Sequence, residues 1–144
     1  MISIRRILCP VDFSPTAEHA LRYGLELARG MGAELHLLHV FQLPIYAMPD
    51  GALIAAPEQV ATLSDRLQQE LNKMAAAFPG VTKSHLLEGV PHREIDAHAK
   101  KIGADLIVMG THGRSGLAHL LIGSVAERVV RSSPVPVLTV RQPE

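Results

Sequence analysis

The chain has 144 residues, enough for one domain, and 47% of them are hydrophobic with three Phe, two Tyr and no Trp, so the core it builds is aliphatic. Fourteen Lys and Arg balance fourteen Asp and Glu, which leaves no basic surplus for a nucleic-acid backbone. The lone cysteine, Cys9, excludes an internal disulfide, and no stretch approaches the roughly 18 apolar residues of a membrane helix.

Residues 2–11 read as a first strand, with Ile2, Ile4, Ile7, Leu8 and Val11 apolar and the end of the run nearly continuous, as in a strand covered on both faces. The opening "MISIRRILCPVD" carries charge inside the apolar run and no signal-peptide core, so a cytoplasmic protein is expected. Ser14-Pro15 starts a helix, with Ser at the N-cap and Pro in the first turn. Ala17, Ala20, Leu21, Leu25, Ala28 and Met31 form its apolar face, and Gly30 and Gly32 end it. "AELHLLHV" (33–40) is a second strand. Residues 41–57 read as an irregular, proline-bearing connection, long enough to be either functional or mobile.

A second helix is predicted over about 58–78, with Val60, Leu63, Leu67, Leu71, Met74 and Phe78 as its stripe and Pro79-Gly80 as its stop. "VTKSHLLEG" (81–89) is a third strand; Pro91 opens a third helix with Ile95, Ala99 and Ile102 inward and Gly103 beyond. "ADLIVMG" (104–110) is a fourth strand, 124–132 a fourth helix and "PVPVLTV" (134–140) a fifth strand. The alternation of strand and helix argues for a parallel sheet, doubly wound, with helices on both faces. Strands one and four are then neighbours at the reversal point, where such sheets bind ligands beyond their carboxyl ends.

Two features fall at that edge. Gly110 and Gly113 stand three apart after strand four, and nine residues later come Gly123-Ser124 and a helix. Glycine permits close approach of backbone to ligand, and the amides of a helix N-terminus attract phosphate. Arg114 is the only permanently charged cation within this loop. Equally, Ser124-Val-Ala-Glu127 reads as a capping box that needs no ligand, and Gly110 as the end of a strand. The stretch is neither a Walker A loop nor a Rossmann fingerprint. Asp12, at the end of strand one, can accept hydrogen bonds from ribose hydroxyls or serve the N-terminus of the first helix.

Three blocks, "ILCPVDFSPTAEHAL" (7–21), "ADLIVMGTHGRSGL" (104–117) and "LLIGSVAERVVRSSPVPVLTVR" (120–141), resemble the universal stress protein family. The pattern G-x2-G-x9-G-[ST], here Gly110, Gly113, Gly123 and Ser124, marks its ATP-binding subgroup. The resemblance implies one domain over residues 1–144. It implies a three-layer α/β sandwich, adenine nucleotide alpha hydrolase-like, with five parallel strands in order 3-2-1-4-5. It implies further that Pro10, Val11 and Val40 contact adenine, that Asp12 binds ribose, and that Met109 and Gly110 lie against ribose and the first phosphate. Gly113, Arg114, Gly123, Ser124 and Val125 would hold the phosphates of ATP, ADP or AMP, with Mg²⁺ as companion. It implies a homodimer paired through the C-terminal strand, about 134–141, where Pro134 and Pro136 fit an edge.

The remaining candidates are weaker. His36 and His39 are three apart on a strand and point to opposite faces, so they form no ready metal pair. His112 and His119 either contact phosphate or are solvated; Cys9 reads as a small buried hydrophobe. Tyr46 and Met48 either close over the nucleotide, form a partner surface or pack on the rim. The expectation is therefore a nucleotide-dependent stress regulator without nucleic-acid or membrane partner, the protein partner left open. The alternatives are a slow ATPase or phosphotransferase, for which Arg114, His112 and Asp12 are on offer without a water-positioning residue, and a nucleotide-free interaction module.

Overall fold

The computed structural model describes residues 1–43, 45–112 and 122–143. In chain order the elements are β1 (Arg6–Pro10), α1 (Pro15–Met31), β2 (Glu34–Phe41), β3 (Ile45–Ala47), β4 (Leu53–Ala55), α2 (Pro57–Ala77), β5 (Lys83–Glu88), α3 (Pro91–Ile102), β6 (Leu106–Gly110), α4 (Ser124–Ser132) and β7 (Val137–Val140). The main sheet is parallel throughout, in the order β5-β2-β1-β6-β7. Counting only its five strands, that is the expected 3-2-1-4-5, with β1 and β6 adjacent at the reversal.

Side chains alternate across the sheet with the period of two that a strand imposes. Ile7, Cys9, Leu35, Leu37, Leu106 and Val108 face one side and pack with Ala17, Ala20, Leu21, Leu25 and Ala28 of α1 and Leu71 of α2. Leu8, Leu38, Ile107 and Met109 face the other and pack with Ile95 and Ala99 of α3 and Ala126 and Val129 of α4. Both faces are thus covered, which is why the strands read as apolar runs rather than as alternating patterns. Cys9 is fully buried, and burial pushes its thiol up to about 12, so it behaves as a small apolar side chain.

Several boundaries differ from the sequence reading, each for a physical reason. β1 begins at Arg6 rather than residue 2, because pairing starts at Arg6 opposite Glu34, and Ile2 is exposed. β7 begins at Val137 rather than 134. Pro134 and Pro136 have no N–H to give to a ladder, and Pro136 contributes only its carbonyl, which accepts from the Ile107 amide at 3.0 Å. Met31 is exposed at the last position of α1 instead of joining its buried face. Of the stripe expected on α2, only Leu67 and Leu71 are buried. The connection 41–57 is not irregular throughout: β3 and β4 pair as an antiparallel hairpin, Tyr46 opposite Ile54. The hairpin leaves Ile45, Tyr46, Met48, Leu53 and Ile54 exposed.

Candidate functional site

The carboxyl ends of β1, β2 and β6 converge beside the first turns of α3 and α4 around a cavity of about 270 Å³. Pro10, Val11 and Asp12 line it from β1 and the turn that follows, Val40 from β2, Met109 and Gly110 from β6, and Gly123, Ser124 and Val125 from the start of α4. Nine of the eleven positions expected at a nucleotide site therefore share one cavity. The other two, Gly113 and Arg114, lie outside the described residues, as does His119.

The β1–α1 turn is held by the chain's own groups. The Val11 amide donates to Leu38 O at 2.8 Å, and His39 Nδ1 donates to Val11 O at 2.6 Å. The Ser14 amide donates to Asp12 Oδ1 at 3.0 Å. Ser14 Oγ then accepts from the Ala17 amide at 3.1 Å, so Ser14 caps α1 as its position before Pro15 foretold. Between Asp12 and Ser14, Phe13 adopts φ +64°, a left-handed backbone rare for an aromatic residue. Its ring tilts against the His39 imidazole at 4.6 Å between centroids.

The β6–α4 side is organised differently. Gly110 approaches α1 so closely that a Cβ there would lie 2.9 Å from Thr16 Cγ2 and 3.1 Å from Thr16 O. Thr111 donates its amide to Val140 O at 3.1 Å and accepts from the Gly123 amide at 2.5 Å. The N-cap of α4 is Gly123, which makes no side-chain capping bond. The capping box expected of Ser124 and Glu127 is therefore not formed. Ser124 is the first helical residue rather than the cap, and Glu127 reaches forward to Arg131 at 2.7 Å instead of back. The first turn of α4 meets the cavity with amides that a helix cannot satisfy from within itself.

Other residues of the wall were not expected at the site from the sequence. Ala17, His39, Pro91, Ile95, Thr111 and Ala126 also line the cavity. Thr111 and His39 carried a signal in being next to Gly110 and Val40; the α3 residues carried none, since only the tertiary fold brings that helix to the edge. His112, for which solvation and phosphate contact were the alternatives, is half-buried in the wall, its Nδ1 2.9 Å from Thr111 Oγ1.

His36 and His39 point to opposite faces, as the spacing requires. His36 joins His85 and His98 between the sheet and α3. His36 Nδ1 lies 3.2 Å from His85 Nε2, and the rings of His85 and His98 are 4.4 Å apart. Glu34 accepts from Arg6 at 2.8 Å and from His36 Nε2 at 3.1 Å; the Arg6 hydrogen bond, followed by that of His36, holds its carboxyl below the usual range. Burial, followed by the charge of His36, lowers the His85 imidazole. Burial, followed by the charge of His85, pushes His98 down to about 4, and His98 Nε2 is buried with no hydrogen-bond partner among the described residues. No group of three or more His, Cys, Asp or Glu among the described residues is arranged to hold a metal, and no described helix is long and apolar enough to cross a membrane.

The family model described as the universal stress protein family matches residues 3–141. Universal stress protein MJ0531 of Methanocaldococcus jannaschii is 34% identical over 142 residues, covering 97% of this chain and 84% of that protein. The solved structure of hypothetical protein MJ0577, from the same organism, superposes with a TM-score of 0.80 at 28% identity, covering 99% of both chains. A universal stress protein from Archaeoglobus fulgidus, solved in complex with dAMP, shares the fold at a TM-score of 0.61 and 24% identity, over 98% of this chain and 100% of that one.

Proposed function

Because this chain belongs to the universal stress protein family, we propose that its cavity is an adenine-nucleotide site and that the protein is an ATP-dependent regulator acting as a homodimer in the cytoplasm. The observation that carries the reading is the convergence of Pro10, Val11, Asp12, Val40, Met109, Gly110, Gly123, Ser124 and Val125 on one cavity at the carboxyl edge of the sheet, where doubly wound folds bind ligands. The fold accommodates dAMP in the Archaeoglobus protein.

Pro10, Val11 and Val40 supply apolar surface for the base, and Asp12 supplies a carboxylate for the ribose hydroxyls. Met109 and Gly110 take the ribose and first phosphate. The amides at Gly123, Ser124 and Val125 take the phosphates, aided by the positive end of the α4 dipole; Gly113 and Arg114 complete the phosphate site in this reading. Mg²⁺ fits as a companion of the phosphates rather than as an ion held by a protein cage, since it keeps most of its waters and is bound chiefly through phosphate oxygens. The edge position of β7 supports pairing with a second copy, because its outer amides and carbonyls face no strand of the described sheet. ATP acts here as a conformational ligand, stabilising the site by mass action and shifting a partner-binding surface.

Calorimetric titration with ATP, ADP and AMP, paired with thermal unfolding, tests the reading. Saturating ATP raises Tm by roughly 5–10 °C at a hundredfold excess over Kd. Gly123→Val abolishes that shift while the protein stays folded, because a branched side chain enters the phosphate space. A wild-type protein indifferent to millimolar adenylates overturns the reading. Steady phosphate release that stops in Gly113→Ala replaces the regulator with an ATPase.

A further inference from the structure

The bond from His39 Nδ1 to Val11 O joins two strands at the point where β1 ends and the ligand-facing turn begins. A carbonyl only accepts, so Nδ1 carries a proton and donates it to Val11 O. The ring is buried in β2, on the same face as Leu35 and Leu37 and opposite to that of His36 and Leu38. A leucine in its place would pack as well and would not require a buried polar group to find a partner. The imidazole therefore needs a reason to be there, and its partner supplies one.

Val11 has both backbone groups tied to consecutive residues of β2: its amide to Leu38 O, its carbonyl to His39. That double tie fixes the peptide leading into Asp12. Beyond it the backbone turns through Phe13 at φ +64°, a conformation that persists only where neighbours over-determine it. The Phe13 ring leans on the His39 ring at 4.6 Å, so one side chain holds the residue before Asp12 by a hydrogen bond and the residue after it by ring contact. Asp12 lines the cavity between them.

We propose that His39 is the positioning residue of the nucleotide site, fixing the Asp12 carboxylate in the geometry that selects ligands by their ribose hydroxyls. The inference rests on the adenylate reading above. It predicts ribose selectivity rather than overall affinity as the property His39 controls, because among the described residues the phosphate-facing start of α4 is hydrogen-bonded to Thr111 beyond β6, while His39 bonds to the turn that carries Asp12.

The test compares ATP with 2′,3′-dideoxy-ATP in wild type, His39→Leu, His39→Asn and His39→Gln. Wild type favours ATP by on the order of tenfold or more, the worth of a hydrogen bond to a charged group. In His39→Leu that preference falls toward one, while dideoxy-ATP binds nearly as before. His39→Asn restores the preference, because its amide N–H reaches the place of Nδ1; His39→Gln, with its donor one bond further out, does not. A merely structural histidine would lower both affinities together, and would leave the Asn and Gln variants alike. The Asn and Gln pair decides the matter if the Leu variant does not fold. Wild type that discriminates, together with Leu or Gln variants that discriminate equally, overturns the inference alone. Wild type that binds neither nucleotide overturns the adenylate reading and this inference with it.

Discussion

The two turns that face each other across the cavity are built on opposite plans. In the β1–α1 turn the chain answers its own polar groups: Ser14 caps α1, Asp12 accepts from Ser14, and His39 holds Val11. At the β6–α4 turn the helix begins on a glycine that makes no side-chain cap, although a serine follows immediately. The first turn spends side chains to hold a strained backbone still. The second offers main-chain donors outward. A self-satisfied turn can aim one carboxylate; an uncapped helix start can receive an anion whose oxygens replace the missing cap. The two halves of a nucleotide, hydroxyl-bearing sugar and anionic phosphates, ask for those two plans.

The comparison is tested most severely where the turns touch. Gly110 ends β6 against Thr16 in the first turn of α1, and two of the three atoms nearest to an added Cβ belong to the Thr16 backbone, at 3.1 and 3.2 Å. Backbone in a helix does not yield as the tip of a side chain does. Gly110→Ala is therefore expected to cost about 1–3 kcal/mol, read as a drop in the midpoint of urea unfolding without ligand. A variant as stable as wild type would mean that Gly110 is a glycine for the ligand's sake only.

A second test uses acid. α4 packs with α3, and α3 carries His98 into the cluster formed with His36 and Glu34 from β2 and His85 and Lys83 from β5, with Asp96 and Lys101 on α3 itself. His98 has a folded pKa of about 4, below the unfolded value near 6.5. The unfolded chain thus binds more protons between those values, so stability falls as pH drops through that window. The layer holding α3 and α4 should loosen first, while the β1–α1 turn on the other layer stays protected. Amide exchange at pH 7 and pH 5 reads this out at 11–14 and 123–126. His98→Gln should make Tm less sensitive to pH by roughly 2–4 °C over the same range. Equal exchange at both turns would remove the distinction between the layers.

Much of this arrangement was legible in the sequence because it depends on local signals. The doubly wound parallel sheet with strands one and four adjacent follows from alternating strands and helices joined by right-handed crossovers, and the full strand order is what the family resemblance implies. The cap at Ser14 follows from Ser-Pro, and two corners of the cavity follow from the ends of strands one and four at the reversal point, the third, at Val40, being implied by the family resemblance. What was not legible is long-range or depends on a shift of one residue. His39 reads only as one of two histidines on opposite faces of a strand until β1 is laid beside β2 and the Val11 carbonyl is found 28 positions away in the chain. The His36–His85–His98 cluster needs β5 and α3 to be placed on the same face. The 41–57 segment contains a hairpin too short for a periodic pattern to announce. The serine and glutamate of Ser124-x-x-Glu127 satisfy the capping-box spacing, yet the helix starts one residue earlier, on Gly123, and the motif becomes part of the helix body.

That one-residue shift sets up the smallest and sharpest contrast. Ser14 and Ser124 both precede or open a helix at the carboxyl edge of the sheet, and the sequence offers both a capping role, for Ser124 beside a phosphate-binding one. Ser14 Oγ accepts from the Ala17 amide at 3.1 Å inside a buried turn, so Ser14→Ala leaves that amide without a partner. The loss should be about 1 kcal/mol, the usual worth of an N-cap, and it should be the same with or without nucleotide. Ser124 is exposed in the first helical position and makes no capping bond among the described residues, so Ser124→Ala should leave the stability of the free protein within about 0.5 kcal/mol of wild type. Its effect should show only as a weaker rise in Tm when ATP is added, because in the proposed site its hydroxyl serves the phosphates and not the helix. If the two serines exchanged behaviours, with Ser124→Ala destabilising the free protein and Ser14→Ala silent, the division between a closed turn and an open one would be wrong at its root.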